Sequence, residues 1–180
     1  GMVGLDAKPV QVDGSASLRP IDGDGSPAEA PIGPAGLHFA AVYPGRYRLQ
    51  VWVNSGFVRR HYLDSVWLGE RDITTDEFEV APGLAPLRVR LKSGGGRVSG
   101  TVHDRDGGIV VLVPKDERQR LPAFVATAFF QGSLFQVENV RPGDYYAVAV
   151  KGTFNHRWMS DSVHGARLLS GARTVQVGDT

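Results

Sequence analysis

The chain contains no cysteine. That absence excludes disulfides, thiolate metal sites and cysteine nucleophiles. Long hydrophobic runs are missing as well. No apolar stretch approaches the roughly 20 residues that a spanning helix needs, so no membrane insertion is expected of this segment. An excess of one charge is also lacking: Lys and Arg number 20 against 19 Asp and Glu, a formal net charge of +1. Such a chain has no field to steer nucleic acid, and no basic run stands out, so DNA and RNA are not expected partners. Gly1–Asp6 carries neither a charged n-region nor an apolar h-region, so no signal peptide is expected here. Gly1 ahead of Met2 reads as an added residue, which leaves room for a longer parent chain.

Helical periodicity is scarce. What is present is short apolar alternation broken by 23 Gly and 11 Pro, the pattern of an all-β chain. Strands are expected at 7–12, 15–21, 36–42, 46–53, 61–68, 77–80 and 86–91, then at 97–104, 108–113, 124–130, 133–140, 145–150 and 174–177. In Leu87–Leu91 the alternation is strict, which sends Arg88 and Arg90 to water. Tyr47, Leu49, Val51 and Val53 fall on one face of their strand, with Arg48, Gln50 and Trp52 on the other. Gly94-Gly95-Gly96 brings no side chain to a core, so a domain boundary is placed there, giving modules at 1–93 and 94–180. The polar stretch 116–122 reads as a loop.

Two segments about a hundred residues apart share one pattern: Phe39 to Val51 and Phe135 to Val150 both contain Val-x-Pro-Gly-x-Tyr. The pairs are Pro44-Gly45 with Tyr47 and Pro142-Gly143 with Tyr145. Pro before Gly sets a tight turn in which Gly is free to take positive φ. An internal repeat of this kind points to two copies of one module. Phe39 and Phe135 are expected to fill the cores.

These residues carry a likeness. Phe followed by Val-x-Pro-Gly-x-Tyr resembles the closing half of the carboxypeptidase regulatory-like domain, a group that shades into prealbumin-like and collagen-adhesin B-type repeats. Arg97–Asp104 resembles the opening strand of that domain, Ile109–Pro114 its next strand. Tyr62–Ile73 is similar to a segment that follows the Pro-Gly strand in tandem copies from soil bacteria. The likeness covers most of the chain and is strongest at 36–150. It implies two tandem immunoglobulin-like or prealbumin-like antiparallel β-sandwiches in a bacterial extracytoplasmic protein, and that location follows from the likeness alone. Tyr47 and Tyr145 then read as corner residues whose hydroxyls pin a crossing connection. The family's Thr-Asp-x-x-Gly-x-Phe is not kept: the second copy has Gly132 and Phe135 without the Asp, so an Asp-based cation site there is lost. Collagen-adhesin repeats cross-link Lys to Asn or Asp. Lys8 finds no partner in Leu87–Leu91 and the second half begins with Arg97, so no isopeptide bond is expected.

Four places carry residue types that could support chemistry. Asp22-Gly23-Asp24-Gly25-Ser26 opens like an EF-hand loop, but the required sixth and twelfth positions hold Pro27 and Gly33. Asp104–Gly107 reads as a hairpin turn. His38, His61, His103, His156 and His164 have no metal-ligand spacing. The stretch 152–166 is unusual, with Phe154, Trp158, His156, His164 and Asp161, and a short helix is expected at 155–160. No nucleophile elbow accompanies it. Phe154 and Trp158 are read as capping an open end of the second module, and a catalytic set around His156, Asp161 and His164 is the lesser reading. No catalytic residue, cofactor or metal is therefore expected. Partners are protein or glycan. The leading function is a non-catalytic spacer or docking module. The alternative is a carbohydrate-binding module that stacks sugars on Trp52, Trp67 or Trp158. Outer apolar faces, such as Tyr146, Val148 and Val150, are expected to be buried against the neighbouring module.

Overall fold

A computed structural model describes residues 14–22, 26–32, 37–53, 61–103, 106–159 and 162–178. The expected strand at 7–12, Lys8, Asp161 and parts of the 22–26 and 104–107 turns lie outside them. The chain is mostly β, with every strand pairing antiparallel and one α-helix among the described residues. It divides into two compact units, Gly1–Ser93 and Gly94–Thr180.

Among the described residues the first unit contains seven strands: β1 (Gly14–Pro20), β2 (Ala28–Pro31), β3 (Gly45–Val53), β4 (Tyr62–Leu68), β5 (Arg71–Asp72), β6 (Phe78–Val80) and β7 (Leu87–Lys92). They form a four-stranded sheet, β2-β1-β3-β6, and a three-stranded sheet, β5-β4-β7. Parity along each strand decides what is buried. Tyr47, Leu49 and Val51 of β3 are buried while Arg48, Gln50 and Trp52 are half-buried. Val89 and Leu91 of β7 are buried while Arg88 and Arg90 are exposed. In β4 the register slips between Leu63 and Ser65. The intervening Asp64 accepts Lys92 at 2.9 Å and faces Arg90 at 4.0 Å. That hydrogen bond, and then the charge of Asp64, raise the Lys92 pKa.

The second unit runs β8 (Gly96–Thr101), β9 (Gly108–Pro114), β10 (Ala126–Phe130), β11 (Leu134–Val140), β12 (Gly143–Val150), α1 (Ser162–Leu169) and β13 (Arg173–Val177). Its sheets are β10-β9-β12-β13 and β11-β8. β9 is an unbroken apolar run because both of its faces are covered. Val110 and Leu112 join Val98, Phe130, Val137, Val140, Tyr145 and Val177 in a core supplied by both sheets. Ile109, Val111 and Val113 lie on the opposite face with Tyr146, Val148 and Val150, under Phe154 and Leu169.

That second face corrects an expectation. Tyr146, Val148 and Val150 are covered by the chain's own 152–169 segment, which supplies the apolar surface a neighbouring module was expected to supply. Phe154 and Leu169 pack against the Ile109, Val111, Val113 and Val125 cluster. The segment holds a 3₁₀ turn at His156–Met159, inside the expected 155–160 helix, and then α1, which was not expected.

Other differences have local causes. Residues 37–42 form no strand, and within them Ala41 sits at φ 53°, outside extended geometry. Phe39 is half-buried, and Phe135 is half-buried against the core with its ring over Gly100, where a Cβ would approach within 2.9 Å of Phe135 Cε1. The 116–122 loop contains a 3₁₀ turn at Glu117–Gln119, capped by the Asp116 carboxylate, which accepts from the Arg118 amide at 3.0 Å. Gly95 and Gly96 are packed, not slack: a Cβ on Gly96 would meet Val177 Cγ1 at 2.3 Å.

Candidate functional site

The two Pro-Gly motifs share their geometry. Four residues before Gly45 and Gly143, Ala41 and Asn139 take φ of 53° and 50°. The glycines themselves stand at 155° and 149°, a region that side chains other than glycine's rarely adopt. Each corner is closed by its tyrosine: the Tyr47 hydroxyl donates to the Tyr43 carbonyl at 3.0 Å, and the Tyr145 hydroxyl to the Arg141 carbonyl at 2.8 Å. Both rings are buried. A phenol held to a backbone carbonyl in this way is committed to the fold. Pro44, Gly45, Tyr47, Pro142, Gly143 and Tyr145 thus form two structural corners.

The three tryptophans are separated. Trp52 lies on β3 in the first sheet, opposite Ser15. Trp67 lies on β4 in the other sheet of the same unit, opposite Asp72 on one side and Arg88 on the other. Trp158 belongs to the second unit, in the 3₁₀ turn. All three are half-buried. Trp67 Nε1 donates to Ser65 Oγ at 3.0 Å. Trp158 stands edge-on to Phe154, with centroids 6.0 Å apart. The Trp52 indole makes no hydrogen bond among the described residues. Among the described residues the most exposed aromatics are others, Tyr43 at 79% and Phe129 at 68%. Phe129 was legible in principle, since adjacent Phe129 and Phe130 on one strand must face opposite ways.

The outer face of β2-β1-β3-β6 is polar apart from Trp52 and Pro31. Register puts Trp52 opposite Ser15, Gln50 opposite Ser17 and Arg48 opposite Arg19, while Glu29 flanks Ser17 and Pro31 flanks Ser15. Ser17 is fully buried on this face, and neither its Oγ nor the buried Arg48 Nε has a hydrogen-bond partner. At one end an open groove of about 510 Å³ is lined by Arg46, Arg48, Arg71, Asp76, Glu77 and Glu79. Glu77 accepts Arg46 at 2.5 Å and Arg48 at 2.7 Å, and Asp22 stands 3.7 Å from Arg46. The Glu77 hydrogen bond, with the Asp22 charge next, raises the Arg46 pKa. Arg19 is exposed and meets no acid among the described residues. Sequence reading missed this cluster because about 30 residues separate Glu77 from both of its arginines.

His156 is half-buried, edge-on to Phe154 at 5.0 Å, and its Nδ1 is buried with no hydrogen-bond partner. Burial lowers its pKa. His164 is exposed on α1. No group of three His, Asp or Glu side chains among the described residues is placed to hold a metal ion, and no described helix is long and apolar enough to cross a membrane. No family model, curated protein or solved structure matches the chain.

Proposed function

We propose that the chain is a pair of tandem immunoglobulin-like β-sandwiches acting as a non-catalytic spacer or docking module in a bacterial extracytoplasmic protein. The observation that carries the reading is the twin corner. The chain's most distinctive motif occurs twice, and each time its polar atom is spent on holding backbone, not on presenting chemistry. Residues of this type serve architecture, and function on such a fold is grafted on elsewhere. The extracytoplasmic location rests on the likeness to carboxypeptidase regulatory-like and prealbumin-like domains.

Single-molecule pulling on the whole chain tests the proposal. Two tandem modules unfold in two events, each releasing about 90 residues, roughly 300 Å of contour. One cooperative event releasing the whole length overturns the two-module reading. Turnover of an ester, amide or glycoside substrate that is lost in His156→Ala overturns the non-catalytic one.

A further inference from the structure

We propose that the outer face of β5-β4-β7 binds a neutral hexose polysaccharide, with one sugar ring stacked on Trp67 and its hydroxyls held by Arg88 and Asp72. The inference goes beyond the spacer role and fails separately from it, since loss of binding leaves the unfolding events unchanged.

Strand register sets the platform. Val66 and Val89 pair towards the core, so the next register pair, Trp67 and Arg88, points the other way. Asp72 pairs with Trp67 from its other side, on the same face. Trp67 is half-buried, and the side chains flanking it on both sides are exposed, so this part of the face is open to solvent. The ring is also fixed before a ligand arrives. Its Nε1 donates to Ser65 Oγ at 3.0 Å, two residues back on the same face. An indole N–H lies in the ring plane, so that bond leaves the flat side of the ring untouched. A side chain ordered in advance costs less entropy to bind on. The apolar C–H face of a pyranose gains from such a flat aromatic partner.

The flanking groups fit hydroxyls. Paired residues of an antiparallel ladder stand about 4.5–5.5 Å apart, so the backbones of Asp72 and Arg88 are about 10 Å apart with Trp67 midway. One pyranose on the indole therefore has a guanidinium along one edge and a carboxylate along the other. Both are held in place. Arg88 donates to the Gly69 carbonyl, and Asp72 Oδ1 accepts from the amide and the hydroxyl of Thr74. A guanidinium carries five N–H donors and a carboxylate about four acceptor sites, so each keeps capacity for a sugar hydroxyl.

Charge selects the kind of sugar. The charges around the platform are matched on the protein itself: Asp64 stands 2.9 Å from Lys92 and 4.0 Å from Arg90, and Asp76 stands 3.6 Å from Arg71. An acidic sugar on Trp67 meets the Asp72 carboxylate and a basic one meets the Arg88 guanidinium, so neither sign is favoured. Hydroxyls both donate and accept, and they satisfy both edges at once. One stacked ring with two polar partners binds weakly, on the order of a millimolar.

The experiment titrates the whole chain with cellohexaose, maltohexaose and mannohexaose, following the three tryptophan indole N–H signals by heteronuclear NMR. Oligogalacturonate and chitosan oligomers serve as charged counterparts. The expected result is saturable binding of at least one neutral hexaose, with the Trp67 signal moving most and with little dependence on salt. Trp67→Ala weakens it at least fivefold and Arg88→Gln at least twofold, whereas Trp158→Ala, in the other unit, leaves it unchanged. Arg88 is exposed, so its variant reads the site even where Trp67→Ala perturbs the fold. The proposal is overturned if none of the three neutral hexaoses binds, or if a charged oligomer binds as tightly as the best of them. It is overturned equally if the Trp52 or Trp158 signal moves most, or if Arg88→Gln binds as the parent chain does.

Discussion

At the scale of single residues the two corners allow a controlled comparison. Tyr47 and Tyr145 are both buried, and each hydroxyl donates to the carbonyl four residues upstream. Replacing either by Phe keeps the ring and removes one hydrogen bond, so each variant is expected to lose about 0.5–1.5 kcal/mol in urea denaturation. An unchanged midpoint in both would mean that the carbonyl finds water instead. Ala41 and Asn139 differ more. Asn tolerates the left-handed region, and its side chain also accepts the Gly94 amide at 3.2 Å. Ala tolerates that region poorly, at a strain of about 1–2 kcal/mol. Ala41→Gly is therefore expected to stabilise the first unit by something under that figure, since Gly gives back chain entropy. Asn139→Ala is expected to destabilise the second. Thermal melts of the two variants should move in opposite directions, and movement in the same direction would remove the strain argument.

Among the elements, the 152–169 cover has a half-buried histidine built into it, His156. His156 is held neutral by desolvation, and its Nδ1 has no acceptor to share a proton with. Among the described residues of the segment, the other ionisable groups, Arg157, His164 and Arg167, are basic, and its acid, Asp161, lies outside them. A released segment binds the proton at the ordinary imidazole value near 6.5, whereas the docked one binds it only at lower pH. Docking is therefore at full strength above that value and weakens as pH falls below it, by at most about 1.4 kcal/mol per unit, levelling off below the docked pKa. Hydrogen exchange of the α1 amides should quicken between pH 7 and 5 after correction for intrinsic rates, while the β9 amides hold. His156→Phe should flatten the trend, and an equal trend in that variant would assign it to other groups. The cover also shows where sequence reading stops. β3 and β7 were legible because strict alternation admits one parity, and β9 because an unbroken apolar run needs two covered faces. α1 was not, because it is one eight-residue helix with Gly165 inside it. β2 was not, because Ala-Glu-Ala-Pro has little strand propensity and is ordered as an edge strand beside β1. The corners were readable since the hydrogen bonds that close them span only four residues. The Arg46–Glu77–Arg48 bridge and the separate engagements of Trp67 and Trp158 depend on where strands and turns finally lie.

For the whole molecule, the division at Ser93 and Gly94 makes a claim about cooperativity. The second unit gathers core side chains from both of its sheets, and nothing in that cluster comes from the first ninety residues. Gly95 and Gly96 are packed beneath Val140 and Val177, so the second unit begins abruptly at the boundary, with no slack leader ahead of β8. Units with separate cores respond separately to mutation, because energies add when sites share no partners. Tyr47→Phe should therefore shift the unfolding of residues 14–92 alone, and Tyr145→Phe that of residues 96–177 alone. In the double variant the two losses should add to within about 0.5 kcal/mol. Exchange-detected unfolding resolves the two sets of amides in one sample of the intact chain. If Tyr145→Phe also lowered the protection of β3 and β7, the units would be energetically coupled. The chain would then behave as one cooperative body, and a spacer that yields one module at a time would no longer describe it.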